Sequence, residues 1–244
     1  MLEIAAVAVL AGFVQGLSGF AFALVCTSLW AWMMEPQMLV PTAILASFIA
    51  QFASLRWIRP GLQVRRVAPF VVGGLVGVPI GAAILPLIDV MAFRLVVGIA
   101  LMLFSTVMLR AKRLPTVSAG GRPADLAIGA LSGLIGGASG LSGPPLIIWC
   151  MMRGWSKLVQ RATMQAFFVT TQVLTIALFA WHGLITLAVL KTVALLAPLA
   201  LGSAWLGVKV AARLDEALVR IIVLSLLWLS GAALVVPRLW AALA

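Results

Sequence analysis

Gly133-Leu-Ile-Gly-Gly-Ala-Ser-Gly-Leu-Ser-Gly-Pro-Pro145 is the stretch on which the reading of this chain turns. Five glycines, two serines and two prolines in thirteen residues argue against a regular helix. Proline removes a backbone donor and clashes with the preceding turn, and glycine loosens the rest. Yet the stretch lies inside an apolar run, 124–152. In hydrocarbon, irregular backbone survives only where protein buries it or where it lines a cavity. A shorter counterpart, Gly16-Leu-Ser-Gly-Phe20, sits similarly within the run 4–34.

Composition agrees that the surroundings are lipid. The 244 residues are 64% hydrophobic and 9% charged, against roughly 45–50% apolar and 25% charged in soluble domains. A soluble fold of this length has too much surface to hide that much apolar side chain. The apolar runs are 4–34, 38–55, 67–88, 91–109, 124–152, 162–181, 184–208 and 218–241, joined by short links. The net charge of +11 does not point to nucleic acid, because the basic residues sit at run ends as topology signals. Cys26 and Cys150 lie in apolar runs with no metal-ligand or disulfide spacing, so both are expected to be packing residues. No cofactor is expected. The first run lacks a charged leader and is expected to be retained.

The chain reads as two related halves. Gly12, Gly16, Ser18 and Gly19 recur 121 residues later as Gly133, Gly137, Ser139 and Gly140. Gly81, Asp89 and Arg94 recur 126 residues later as Gly207, Asp215 and Arg220. The expected boundaries are 1–113 for the first membrane repeat, 114–123 for a central loop and 124–244 for the second repeat.

Basic residues then orient the halves. If 4–34 and 124–152 each enter and leave on one side, fourteen of the 17 basic residues share a side, leaving Arg94, Lys191 and Arg238. If all eight runs cross, the split is ten to seven. The positive-inside rule favours the first arrangement. The expected fold is therefore an all-α integral membrane protein of two inverted repeats. Each repeat is one broken or re-entrant helical element plus three transmembrane helices.

Paired glycine-rich interruptions at corresponding positions of two halves point to a transporter's substrate site. A helix break exposes free N–H groups at a positive dipole end, which suits an anion. No Lys, Arg, Asp or Glu stands deep within a run to act as a fixed counter-charge. Backbone and hydroxyl donors remain. The candidate substrate residues are Gln15, Gly16, Ser18 and Gly19 at the first break, and Gly137, Ser139, Gly140, Ser142 and Gly143 at the second, with Gln165 from a later run. Thr42, Ser47, Gln51, Thr163, Thr170, Thr171 and Gln172 are secondary. The competing reading of the glycines is close helix packing. The tryptophans, mostly near run ends, are expected to anchor the protein at the membrane interfaces.

The chain resembles the TauE/SafE sulfite exporter family. The resemblance rests on the two GxxxGxSG elements and on the Pro–Gly-rich third helices: Pro69, Gly73, Gly77, Pro79 and Gly81, then Pro198, Gly202 and Gly207. It implies a bacterial inner-membrane permease, multi-pass and not an enzyme, for sulfite, sulfoacetate, aromatic sulfonates or related organic anions. The partners implied are a small-molecule anion and the lipid bilayer. An anion channel of the same architecture is the alternative from the same residues. An intramembrane serine protease is the rival from another class, since Gly137-Ala-Ser-Gly140 is a GxSG sequence and His182 follows. A Ser–His pair, however, needs the imidazole within hydrogen-bond reach of Ser139.

Overall fold

Each of the two long apolar runs folds as two helices separated by a short interruption. The computed structural model describes residues 1–52, 61–110, 115–117, 119–211 and 216–243. Arg56, Arg59, Lys112, Arg113, Arg213 and Asp215, used above for topology and repeat matching, lie outside the described residues. The described chain is α-helical without strands. The helices are α1 (Leu2–Ser18), α2 (Phe22–Trp30), α3 (Pro36–Gln51), α4 (Val64–Ile84), α5 (Val90–Leu109), α6 (Gly121–Ser139), α7 (Gly143–Met152), α8 (Lys157–Trp181), α9 (Leu187–Ala211) and α10 (Glu216–Leu243). Among the described residues, four helices are long and apolar enough to cross a membrane: α4 with the short turn after it, α5, α8 and α9. Their outward faces carry large exposed apolar side chains, such as Val76 at 59%, Val96 at 64% and Leu103 at 62%. Water would penalise such surfaces and lipid does not. The chain is an all-helical, multi-pass membrane protein.

Local chemistry sets the ends. Asp89 caps α5, its carboxylate accepting from the amides of Met91 at 2.7 Å and Ala92 at 3.0 Å. Pro36 opens α3, and Pro144 and Pro145 fall in the first turn of α7, where the missing amide hydrogens cost no intrahelical bond. The interruptions are narrower than the sequence expects. α6 stays helical through Gly133, Gly136 and Gly137, and only 140–142 leave the helix. α6 also begins at Gly121, inside the expected central loop.

Those helical glycines serve helix packing. α4 lies along α6, and α1 along α9. A Cβ on Gly77 of α4 would stand 2.0 Å from Ala130 O of α6, and one on Gly16 of α1 would stand 2.0 Å from Ala204 O of α9. Small residues let two backbones touch, the usual means of joining helices in lipid, where no hydrophobic force favours one helix over a lipid tail. In both cases a helix that precedes the 114–123 connection meets one that follows its start, α4 with α6 and α1 with α9. The pairs α3–α9, α8–α4 and α5–α10 also join early helices to late ones.

Trp30 departs from the interfacial role expected of it. It is fully buried, and its indole Nε1 donates to Ile4 O at 3.3 Å. Trp181, 86% exposed, sits at a helix end as expected.

Candidate functional site

Both breaks are built alike. α1 ends on Gly19 at φ 86° and α6 on Gly140 at φ 77°, the left-handed conformation that glycine adopts without steric cost. Ser18 Oγ donates to Val14 O at 2.8 Å, and Ser139 Oγ donates to Ile135 O at 2.8 Å. Each hydroxyl also accepts from the amide two residues on, Phe20 or Leu141, at 3.4 Å. The serines thus satisfy a backbone amide just after it leaves the helix.

The first break carries an additional clasp. Gln15, 1% exposed, accepts from the Phe22 amide at 3.0 Å through Oε1 and donates from Nε2 to Gly19 O at 3.3 Å. It thereby caps α2, whose own N-cap Ala21 has no polar side chain. Gln165 of α8 donates to the same Gly19 carbonyl at 2.5 Å. At the second break the equivalent positions are Gly136 and Ile44, so no glutamine repeats there. Ser142 packs instead over Gly136, and Thr27 of α2 donates to Ser139 O at 3.5 Å.

Between the breaks is a small cavity, about 20 Å³, enough for about one water. Its polar wall is Gln15, Ser47, Gln51, Ser142 and Gln172, and Phe20, Leu141 and Phe168 close the apolar side. Gly140 and Gly143 bring bare backbone to it, while Ala23 and Gly143 place the first turns of α2 and α7 on it. The positive first turns of α2 and α7 therefore border one neutral polar chamber, together with the C-terminal end of α6 at Gly140. Gln51 Nε2 donates to Gln172 Oε1 at 2.5 Å, and Gln172 Nε2 donates to Ser47 Oγ at 3.2 Å.

Of the ten residues expected at the site, Gln15, Gly140, Ser142 and Gly143 line this cavity. Gly19 and Gln165 meet beside it through their hydrogen bond. Ser18 and Ser139 turn their hydroxyls into their own helices. Gly16 and Gly137 face α9 and α4. Ser47, Gln51 and Gln172, secondary in the sequence, form the polar wall opposite the breaks. The residues Gln51 and Gln172 share the 121-residue offset of the glycine–serine motif, a signal that was available.

One buried ion pair had no sequence signal. Arg153 meets Asp125 at 3.1 Å, with side chains 12% and 6% exposed, and Trp149 Nε1 donates to Asp125 Oδ1 at 2.7 Å. Arg153 also reaches Val117 O, Ala119 O and Gly121 O. This cluster ties the segment before α6 to the far end of α7, away from the breaks. The protease reading gains nothing, because Ser139 donates within its own helix and His182 sits exposed at the end of α8.

Comparison with known proteins agrees with the architecture. No curated protein and no solved structure matches this chain. The family model described as sulfite exporter TauE/SafE matches residues 4–234, nearly the whole length. With its broken helical elements, its small neutral chamber and this match, the chain belongs to the sulfite exporter TauE/SafE family of membrane transporters.

Proposed function

We propose that this protein is a secondary transporter carrying a small oxyanion across the bacterial inner membrane. Sulfite, sulfoacetate or another organosulfonate is the substrate. The anion binds between the two breaks. Gln15, Ser142, Gly140 and Gly143 contact it, with Gln51 and Gln172 opposite. Ser18, Ser139, Gly19 and Gln165 hold the breaks in shape, and Gly16 and Gly137 set the helix spacing behind them. The halves, 1–113 and 124–244 around the connection 114–123, are inverted repeats. Supporting inversion are the fourteen-to-three split of basic residues that this arrangement gives, against ten to seven if all eight runs cross, and the pairing of α1 with α9 and of α4 with α6.

The observation that carries the reading is the chamber itself. It is polar, uncharged and enclosed by two half-helix N-termini. Such ends favour anions by dipole, and at the start of α7 Gly143 retains an amide hydrogen that Pro144 and Pro145 lack. A cation would need a carboxylate or a ring of carbonyls to replace its hydration shell, and the wall has no carboxylate and only single glutamine oxygens, of which those of Gln15 and Gln172 already accept hydrogen bonds. Its size favours a carrier over an open pore. At about 20 Å³ the chamber admits about one water, so a sulfur oxyanion enters only when the halves part. Flux of labelled sulfite and sulfonates into proteoliposomes tests this. Saturable flux, with each anion competing against the other, is expected. Sodium or sugar flux in their place would remove the assignment.

A further inference from the structure

The chamber wall contains donors and unused acceptors but no charge. Gln51 is 2% exposed, and with its amide nitrogen given to Gln172 its Oε1 has no partner. Gln165, 6% exposed, commits its nitrogen to the Gly19 carbonyl, which can only accept, and its Oε1 is likewise unpartnered. A buried polar atom left without a bond is destabilising, so the Gln51 oxygen on the chamber wall is poised for a donor.

Charged residues on the surrounding helices stand toward the helix ends. Glu3 is at the start of α1 and Glu35 precedes α3. Asp125, near the start of α6, is paired with Arg153 just beyond α7. Lys157 and Arg161 lie near the start of α8, and His182 follows its end. On the helices packed behind, Arg65 and Arg66 open α4, Lys191 is near the start of α9 and Lys209 is in its last turn. The buried thiols Cys26 and Cys150 belong to α2 and α7 and do not line the chamber.

We propose that the chamber selects monoanions over dianions, so that sulfite crosses as hydrogensulfite. This rests on the transport function proposed above. The cost of moving an ion out of water rises with the square of its charge. Amides, hydroxyls and two partial helix charges can offset one negative charge, and no cation on the wall offsets a second. The orphan oxygen of Gln51 sharpens the choice. Its lone pairs repel a bare dianion and accept from the O–H of a singly protonated one.

Sulfite's second ionisation lies near neutral pH, which makes the species separable. The purified full chain in proteoliposomes, with equal pH on both faces, is given subsaturating sulfite, methanesulfonate or sulfate at pH values about one unit below and above neutrality. Methanesulfonate is a monoanion and sulfate a dianion at both. The expected result is a sulfite flux that falls roughly five- to tenfold on going to the higher pH, tracking the hydrogensulfite fraction. Methanesulfonate flux stays constant, which shows that the protein itself has not titrated, and sulfate flux stays at background. Sulfite flux that holds or rises with pH, or sulfate carried as fast as sulfite, overturns the proposal. Absence of flux for all three overturns the transport function and this inference with it.

Discussion

Gln51 and Gln172 stand 121 residues apart, the offset of the glycine–serine motif, and hydrogen-bond to each other at 2.5 Å. If the chain is two repeats, as proposed, each is the other's counterpart. On the proposed transport function, the pair lies on the wall of the chamber, where the proposed halves would part to admit a substrate.

Replacing Gln172 by Leu removes the acceptor of Gln51 and the donor to Ser47, leaving buried groups unpaired. The expected cost is about 1–3 kcal/mol. Gln51→Leu should cost less, since Gln51 already lacks a partner for its own oxygen. The double variant should be more stable than the sum of the singles implies, because it leaves no half-broken pair. Thermal unfolding in detergent measures all three. Strict additivity would show that the two amides are not coupled.

Gly140 holds φ 77°, which a side chain with a Cβ adopts at a cost of about 1–2 kcal/mol. Nothing closer than 3.7 Å crowds a Cβ there, so the penalty is one of backbone conformation and not of space. Gly140→Val should therefore lower both melting temperature and flux, while Gly140→Asn, which tolerates the left-handed region, should recover most of the stability. Equal damage from both variants would place the cause in volume.

The packing role of the helical glycines has an internal control. Gly202 on α9 has nothing within 4 Å of an added Cβ, whereas Gly16 would meet Ala204 O at 2.0 Å. Gly202→Val should leave size-exclusion profile and melting temperature unchanged. Gly16→Val must push α1 from α9 and should cost about 1–3 kcal/mol or more. Similar behaviour of the two would refute the close approach.

Inversion predicts which face each link shows. Cysteines placed at exposed Glu35 and Ser156, in a background with Cys26 and Cys150 replaced, should react with membrane-impermeant reagent from opposite sides. Ser156 is expected at the cytoplasmic face, with the basic links, and Glu35 at the other. Reaction of both from one side contradicts the arrangement.

The breaks were legible because Ser18–Gly19 and Ser139–Gly140 combine a helix-ending glycine with a hydroxyl, twice, at one offset. Their extent was not. Glycine spacing of four residues serves both a loosened helix and a close helix contact, and only the neighbour decides; Gly133 and Gly137 proved to have α4 beside them. The serines show a second limit. A sequence names the hydroxyl but not its rotamer, and Ser18 and Ser139 turn back to Val14 and Ile135. Asp125 and Arg153 were unreadable as a pair, because their meeting depends on how α6 and α7 fold back at the break between them.

The pairing of early helices with late ones has a consequence for how the protein is made. α1 leaves the ribosome well before α9, yet the surface that receives Gly16 belongs to α9. Until then its glycine face lacks that partner, and α4 likewise lacks its partner until α6 is inserted. On the proposed division, neither half is expected to fold independently. The first half synthesised alone should be a short-lived substrate for quality control, whereas the two halves expressed as separate chains should find each other, each supplying the partner helix that the other lacks.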